Sequence, residues 1–214
     1  MHVVIINGSP RVEKHSNTNK IIDAFGKGLT DRGATFEKYA ISRRESWDDI
    51  RDAYMKNSEI VLALPLYVEC VPGLLLEFLE TLPQKNGDTR ISYILQSGFA
   101  EGAQLRCGEA FLIKLTKQLR LTYGGTLVKG DNFGIRVMDA AVAEKMVSPY
   151  TAMGVAYVDN HGFDSDAARK FTGPETFKLP ARIMLGLMFK TAAKRMFDKV
   201  ARSWGCTVPL DYRP

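Results

Sequence analysis

The residues best equipped for chemistry lie near the start of the chain. Gly8-Ser9-Pro10-Arg11 is followed shortly by His15-Ser16-Asn17-Thr18-Asn19. Ser9, Ser16 and Thr18 supply hydroxyls, Asn17 supplies an amide, and Arg11 supplies a fork of charged donors. The apolar run Val3 to Ile6 leads into this stretch, and a helical pattern begins at Thr18. A strand, a donor-rich loop and a helix start together make a cradle for phosphate, because the first N–H groups of a helix point at one place. Each favourable charge–dipole contact there is worth roughly 0.3–1 kcal/mol, so several together can hold a dianion. The same residues also suit a plain turn, with Gly8 and Pro10 bending the chain and Ser16 or Asn17 capping the helix. Spacing excludes two other phosphate loops. Glu13 stands where an ATP-binding loop starting at Gly8 needs its second glycine, and no Gly-x-Gly-x-x-Gly follows a strand.

Two more stretches carry side chains of interest. Pro65-Leu66-Tyr67-Val68 runs on to Pro72-Gly73, and Ser97-Gly98-Phe99 runs on to Gln104. Tyr67 suits packing beside a flat ring, and equally filling a gap between loop and helix. Phe99 suits lining a pocket, and equally packing under a sheet edge; Gly98 permits close approach to a flat group. Cys70 reads as an inert small side chain rather than a redox thiol. His2, His15 and His161 assemble no Ser/His/Asp set and no metal site. Cys70, Cys107 and Cys206 are widely spaced and odd in number, which excludes a disulfide framework and a zinc or iron–sulfur centre.

The elements that must position these loops follow from periodicity. Val3–Ile6, Thr35–Ile41, Glu59–Pro65, Ile91–Ser97 and a run beginning at Thr126-Leu127-Val128 read as strands. The second belongs nearer an edge. Between them, helical spacing joins Ile21, Ile22, Phe25 and Leu29, which Gly33 stops, and Ile50, Ala53 and Tyr54, with Ser46 as cap. A helix spans Gly73 to Leu82, a turn falls at Asn86-Gly87-Asp88, and a long helix over Ala103 to Leu121 ends at Gly124-Gly125. Strand and helix alternate to about residue 130, which implies α/β architecture with a parallel sheet covered on both faces. In such a sheet, ligands bind beyond the carboxyl ends of the strands, where all three loops lie. Further on, Ala140–Met146 and Tyr150–Asn160 read as one helix broken at Pro149, and Gly162 to Pro180 as irregular. Pro180 opens a final helix striped by Met184, Met188, Ala192, Met196 and Val200. That stripe suits docking on its own domain first, a dimer contact second and an anionic membrane surface last.

Length and composition frame this reading. The chain has 214 residues, 45% hydrophobic and 25% charged, and a net charge of +5, as expected of one globular domain. The charge suits an anionic ligand such as a nucleotide and argues little for nucleic acid. Apolar runs are too short to span a bilayer, and no leader pattern is evident, so a cytoplasmic protein is expected.

Gly8-Ser9-Pro10-Arg11 with Ser16-Asn17-Thr18, then Pro65-Leu66-Tyr67 with Pro72-Gly73, then Ser97-Gly98-Phe99, resemble the three flavin loops of the flavodoxin-like NADPH-dependent FMN reductase family. The resemblance covers residues 3 to 130. The compact cysteine cluster of the family's iron–sulfur branch is missing, which excludes that branch. The resemblance implies a flavodoxin-like three-layer sandwich with a five-stranded parallel sheet in order 2-1-3-4-5. It implies one domain over 1–214, with a flavin-binding core at 1–135 and a largely helical extension at 136–214. It implies FMN held by Ser9, Arg11, Ser16, Asn17, Thr18, Pro65, Leu66, Tyr67, Val68, Ser97, Gly98 and Phe99, NADPH or NADH as donor, and a homodimer. No side chain is then catalytic, since the flavin carries the chemistry. The expected function is electron transfer from nicotinamide through FMN to a small acceptor such as free flavin or a quinone. The alternatives are a flavodoxin-type carrier and a non-catalytic flavin-binding regulator. Carriers that resemble flavodoxin are usually acidic, and this chain is basic.

Overall fold

Val3-Val4-Ile5-Ile6 is buried on both sides, and its alternate residues divide the core in two. Val4 and Ile6 join a cluster with Trp47, Ile50, Tyr54, Phe78 and Leu112, whereas Val3 and Ile5 join one with Ile21, Phe25, Leu29, Tyr150 and Tyr157. A central parallel strand requires this, because side chains alternate across it and helices cover both faces. The structure, a computed structural model, describes residues 1–85 and 88–208. The turn expected at Asn86-Gly87 lies outside the described residues.

Five strands form one parallel sheet: β1 (His2–Asn7), β2 (Thr35–Ala40), β3 (Glu59–Pro65), β4 (Arg90–Gln96) and β5 (Thr122–Lys129). Their order is β2-β1-β3-β4-β5. β1 pairs β2 on one side and β3 on the other, so the chain reverses its direction of travel across the sheet there. This is the fold class the resemblance implied. One face carries α2 (Trp47–Lys56), α3 (Gly73–Glu80) and α4 (Arg106–Gln118). The other carries α1 (Asn17–Asp31), α6 (Ala140–Val147), α7 (Pro149–Asn160) and α8 (Asp166–Phe171), with the single turn α5 (Gly134–Val137) before them.

α7 completes the second layer by lying directly on α1. Gly28 and Gly154 make that possible: a Cβ on Gly28 would stand 1.9 Å from Thr151 O, and one on Gly154 2.2 Å from Phe25 O. Tyr157 packs edge-on against Phe25, with ring centroids 5.6 Å apart.

Several local expectations need correction. The expected helix from Ala103 is a 3-10 turn over Gly102–Leu105 followed by α4, which stops by Leu119; Arg120 takes the left-handed conformation at φ 57°. Gly124-Gly125 therefore does not end a helix but lies inside β5, at a register shift opposite Ile91 and Tyr93. Close approach explains both glycines, since a Cβ on Gly124 would meet Ser92 Oγ at 2.2 Å, and Gly125 has φ 93° against Phe163. Ser46 makes no side-chain cap; its hydroxyl donates to Arg43 O at 2.8 Å. The stretch 162–180, read as irregular, contains α8, capped by Ser165 Oγ accepting from Ala168 N at 3.2 Å.

Residues 1–175 form one compact unit, and the chain from Thr176 forms a second. In the second, the single final helix is two: α9 (Leu179–Lys190) and α10 (Ala192–Ser203). The break falls at Thr191, whose hydroxyl donates to Leu187 O at 3.0 Å and whose backbone leaves the helical region at φ −124°, ψ −93°. A threonine hydroxyl that bonds back to a carbonyl four residues earlier competes with the helix in this way.

Candidate cofactor-binding site

The loop after β1 is built around buried polar groups. Asn7 ends the strand fully buried, and its Oδ1 accepts from Ser9 N at 3.0 Å. Its Nδ2 is buried without a partner. Ser9 is buried, and its Oγ accepts from Arg11 N at 3.3 Å. Gly8 is fixed by packing, since a Cβ there would meet Leu75 at 2.9 Å and Ala63 O at 3.2 Å. Ser16 is the N-cap of α1, its Oγ accepting from Asn19 N at 3.2 Å. That bond leaves the N–H groups of Asn17 and Thr18 with no acceptor inside the helix. The loop thus offers an anion two helix-start amides, the Asn7 amide, and the hydroxyl protons of Ser9, Ser16 and Thr18. Arg11 is exposed, with its guanidinium carbon 5.9 Å from the Tyr67 ring centroid.

The loop after β3 leaves the sheet at Pro65 and is tied down at once by Leu66 N donating to Gln96 O at 2.8 Å. Leu66 is buried, and a Cβ on Gly108 of α4 would meet its side chain at 2.7 Å. Tyr67 and Cys70 then exchange two backbone hydrogen bonds, at 2.9 and 3.1 Å. The turn between them consists of Val68 and Glu69, with φ of 50° and 64°. A β-branched residue with positive φ is strained, and such strain gathers at functional sites. The bond pair uses neither the Val68 nor the Glu69 amide. Tyr67 and Val68 are exposed, at 41% and 76%. Cys70 is exposed.

The loop after β4 has Ser97 buried, its Oγ accepting from Phe99 N at 3.0 Å. Gly98 is open on one side and close to Phe133 on the other, where a Cβ would stand 3.3 Å from the Phe133 Cβ. Phe99 is exposed, so it does not pack under the sheet edge.

Hydrogen bonds join these loops to one another and to a fourth. Thr18 Oγ1, in the buried first turn of α1, accepts from Gln96 Nε2 at the end of β4, at 3.3 Å. Asn17 Nδ2 donates to Asn132 O at 2.9 Å. Asn132 N donates to Ser97 O at 3.0 Å, and Asp131 N to Phe99 O at 2.8 Å. Asn132 also donates through Nδ2 to Lys129 O and to Tyr150 OH, at 3.2 and 2.9 Å. Burial pushes the Tyr150 phenol well above its usual range, so the hydroxyl stays neutral and accepts that bond. The loop after β5 is thus the hub of the site. By pattern Gly130 to Gly134 reads as a turn-rich loop, and β5 starts at Thr122 rather than the Thr126 expected. Its signal was position: a turn-rich loop at the carboxyl end of a parallel strand.

Among the described residues no group of histidine, cysteine and carboxylate side chains is arranged to hold a metal. Nor, among the described residues, is any helix long and apolar enough to cross a membrane.

No protein-family model matches the sequence, and no curated protein matches it. Solved structures do match. The structure of an FMN-dependent NADH-azoreductase from Bacillus anthracis in complex with FMN aligns with a TM-score of 0.55 at 14% identity, over 75% of this chain and all of that one. The fold is flavodoxin-like. An NAD(P)H:quinone oxidoreductase from Methanothermobacter marburgensis aligns at 0.56 and 15% identity, over 75% of this chain and 98% of its own. A Trp repressor binding protein from Bacillus subtilis aligns at 0.51 and 14%, over 70% and 98%. Likeness at these identities establishes the flavodoxin-like architecture and leaves activity to the site's own residues.

Proposed function

We propose that the protein is an FMN-dependent NAD(P)H oxidoreductase that passes electrons to a small acceptor such as free flavin or a quinone. The observation that carries the reading is the cradle itself. An unpartnered buried amide, Asn7 Nδ2, lies in the same loop as a helix start whose first amides lack acceptors. That donor set fits a phosphate monoester on a helix N-terminus. Neighbours of this fold described as FMN-dependent or as quinone oxidoreductases support the choice of ligand and chemistry.

When bound, FMN supplies the acceptance of a hydride from a nicotinamide and its onward release to an acceptor. The chain supplies the rest. Ser9, Arg11, Ser16, Asn17 and Thr18 would hold the phosphate. The backbone from Pro65 to Val68 would supply fixed N–H donors to the polar edge of the ring, where they would stabilise negative charge without reorganising. Ser97, Gly98, Tyr67 and Phe99 would line the place of the ring. We read the protein as cytoplasmic and as a homodimer, the second being what the family resemblance implies.

The visible spectrum of the purified protein, before and after added FMN, tests the cofactor. A colourless protein that takes up no FMN overturns the proposal. Oxidation of NADH or NADPH with a panel of small acceptors tests the activity. Turnover without a partner protein rejects a carrier. FMN binding with neither nicotinamide nor acceptor consumed makes the protein a regulator.

A further inference from the structure

We infer that the helical pair α9–α10 is a docking surface for an anionic lipid bilayer, lying on the membrane rather than crossing it. This inference does not rest on the flavin reading.

α9 is apolar on nearly every side, and its large apolar side chains are exposed among the described residues. Leu179, Ile183, Met184, Leu187, Met188 and Phe189 are exposed at 69, 57, 63, 64, 43 and 53%. Only Arg182 and Lys190 interrupt them with charge. Large apolar side chains in one exposed group of this kind mark an interaction surface. α10 is different: Met196, Phe197 and Val200 are half-buried, and Phe197 stacks on Phe189 with ring centroids 6.3 Å apart and planes 16° from parallel. α10 thus meets α9 through this ring pair, while the large apolar side chains of α9 stay exposed among the described residues.

Charge identifies the occupant. Residues 176–214 hold eight basic and two acidic residues, a net +6, whereas the whole chain carries +5. The other 175 residues thus sum to −1, so the positive excess belongs to the same segment of chain as this exposed apolar face. An anionic bilayer offers both complements at once: acyl chains for Leu, Ile, Met and Phe, and headgroups for lysine and arginine, whose stems reach along the interface. A second copy would bring +6 against +6. A nucleic acid would cover the charge and leave six apolar side chains in water. At 12 residues, α9 is about 18 Å long against a hydrocarbon core of about 30 Å, so it lies in the interface.

Co-sedimentation of the full chain with vesicles tests the inference. One set is phosphatidylcholine alone and the other contains about one-third phosphatidylglycerol. Binding to the anionic vesicles that weakens with added salt, and little binding to neutral ones, is expected. Arg195→Gln with Lys199→Gln and Arg202→Gln lowers it on the order of a hundredfold, about fivefold per charge. Met184→Gln with Leu187→Gln lowers it by at least about tenfold, with far-UV circular dichroism and FMN uptake unchanged. Equal binding to both vesicle types, binding that ignores the apolar pair of changes, or no binding overturns the inference. So does tighter retention by a duplex oligonucleotide, or self-association that the Met184/Leu187 variant abolishes.

Discussion

Ser16 has two jobs in the proposed site, and a matched control separates them. Its Oγ caps α1 by accepting from Asn19 N at 3.2 Å. Ser165 caps α8 with the same group at the same distance, accepting from Ala168 N at 3.2 Å. Either serine changed to alanine loses one cap, worth roughly 1 kcal/mol. For a domain of this size that lowers the melting temperature by about 2–4 °C. In phosphate-free buffer, without FMN, Ser16→Ala and Ser165→Ala are expected to fall together. FMN then splits them. The Ser16 hydroxyl proton is not used by the cap, and a hydrogen bond to a charged group is worth roughly 1.5–3 kcal/mol. Ser16→Ala therefore weakens FMN about 10- to 150-fold by fluorescence titration, while Ser165→Ala binds as the parent does. The double change Ser16→Ala with Thr18→Ala weakens it further. Equal FMN affinity in Ser16→Ala and Ser165→Ala would refute the cradle and leave the loop a turn.

Other consequences are as direct. Gly28→Ala forces a Cβ to 1.9 Å from Thr151 O, and a clash with backbone costs about 1–3 kcal/mol or more; urea unfolding checks it, and an unchanged midpoint contradicts the α1–α7 contact. Asn132→Ala leaves the buried Tyr150 hydroxyl without its donor, which costs roughly 1–3 kcal/mol of stability, and should weaken FMN more than its distance from the phosphate suggests. Tyr150→Phe in the same background should recover stability but not FMN affinity. Burial raises the Glu59 carboxyl above its ordinary value, against the opposing pull of Arg90. Between the unfolded value and that raised value the folded chain holds a proton the unfolded chain has lost, so stability falls as pH rises through that window. Glu59→Gln cannot titrate and should flatten this slope just above the ordinary carboxylate range. A slope identical to the parent's assigns it to other groups.

Sequence pattern exposed the sheet because its signal is local. Val3–Ile6 and Glu59–Pro65 are continuous apolar runs, and the loops after them carry Gly, Pro and Ser at the strand ends. What stayed hidden depends on contacts between distant residues. Gly124-Gly125 reads as a helix stop, and only the approach of Ser92 and Phe163 makes it strand. Asn132 reads as one more turn residue, and only the meeting of Asn17, Ser97 and Tyr150 makes it a hub. Val68 and Glu69 have no glycine or asparagine to announce a left-handed turn; the Tyr67–Cys70 bond pair imposes it. Thr191 carries no breaker signal either, since a back-bonding hydroxyl looks like any mid-helix threonine.

One inference from composition changes once charge is assigned to place. The net charge of +5 counts against a flavodoxin-type carrier only if it belongs to the flavin-binding part. It does not: residues 1–175 hold 21 basic and 22 acidic residues, and the excess lies beyond them. Overall basicity therefore cannot separate an enzyme from a carrier here. The rim of the site does so better. A carrier docks a protein over its flavin and gains from a rim of one charge sign, which steers the partner. This rim presents Tyr67, Val68, Phe99 and Phe133, one or more from each of three loops, with Arg11 beside Tyr67. The same loops expose Arg11, Glu69 and Asp131, charges of both signs, and aromatic and aliphatic side chains with mixed charge suit a small planar acceptor better than a steered protein partner. The salt dependence of turnover reads the difference. Rates with a neutral quinone should barely change between low and high salt. A steep fall with a redox protein as acceptor, and none with quinone, would return the carrier reading to first place.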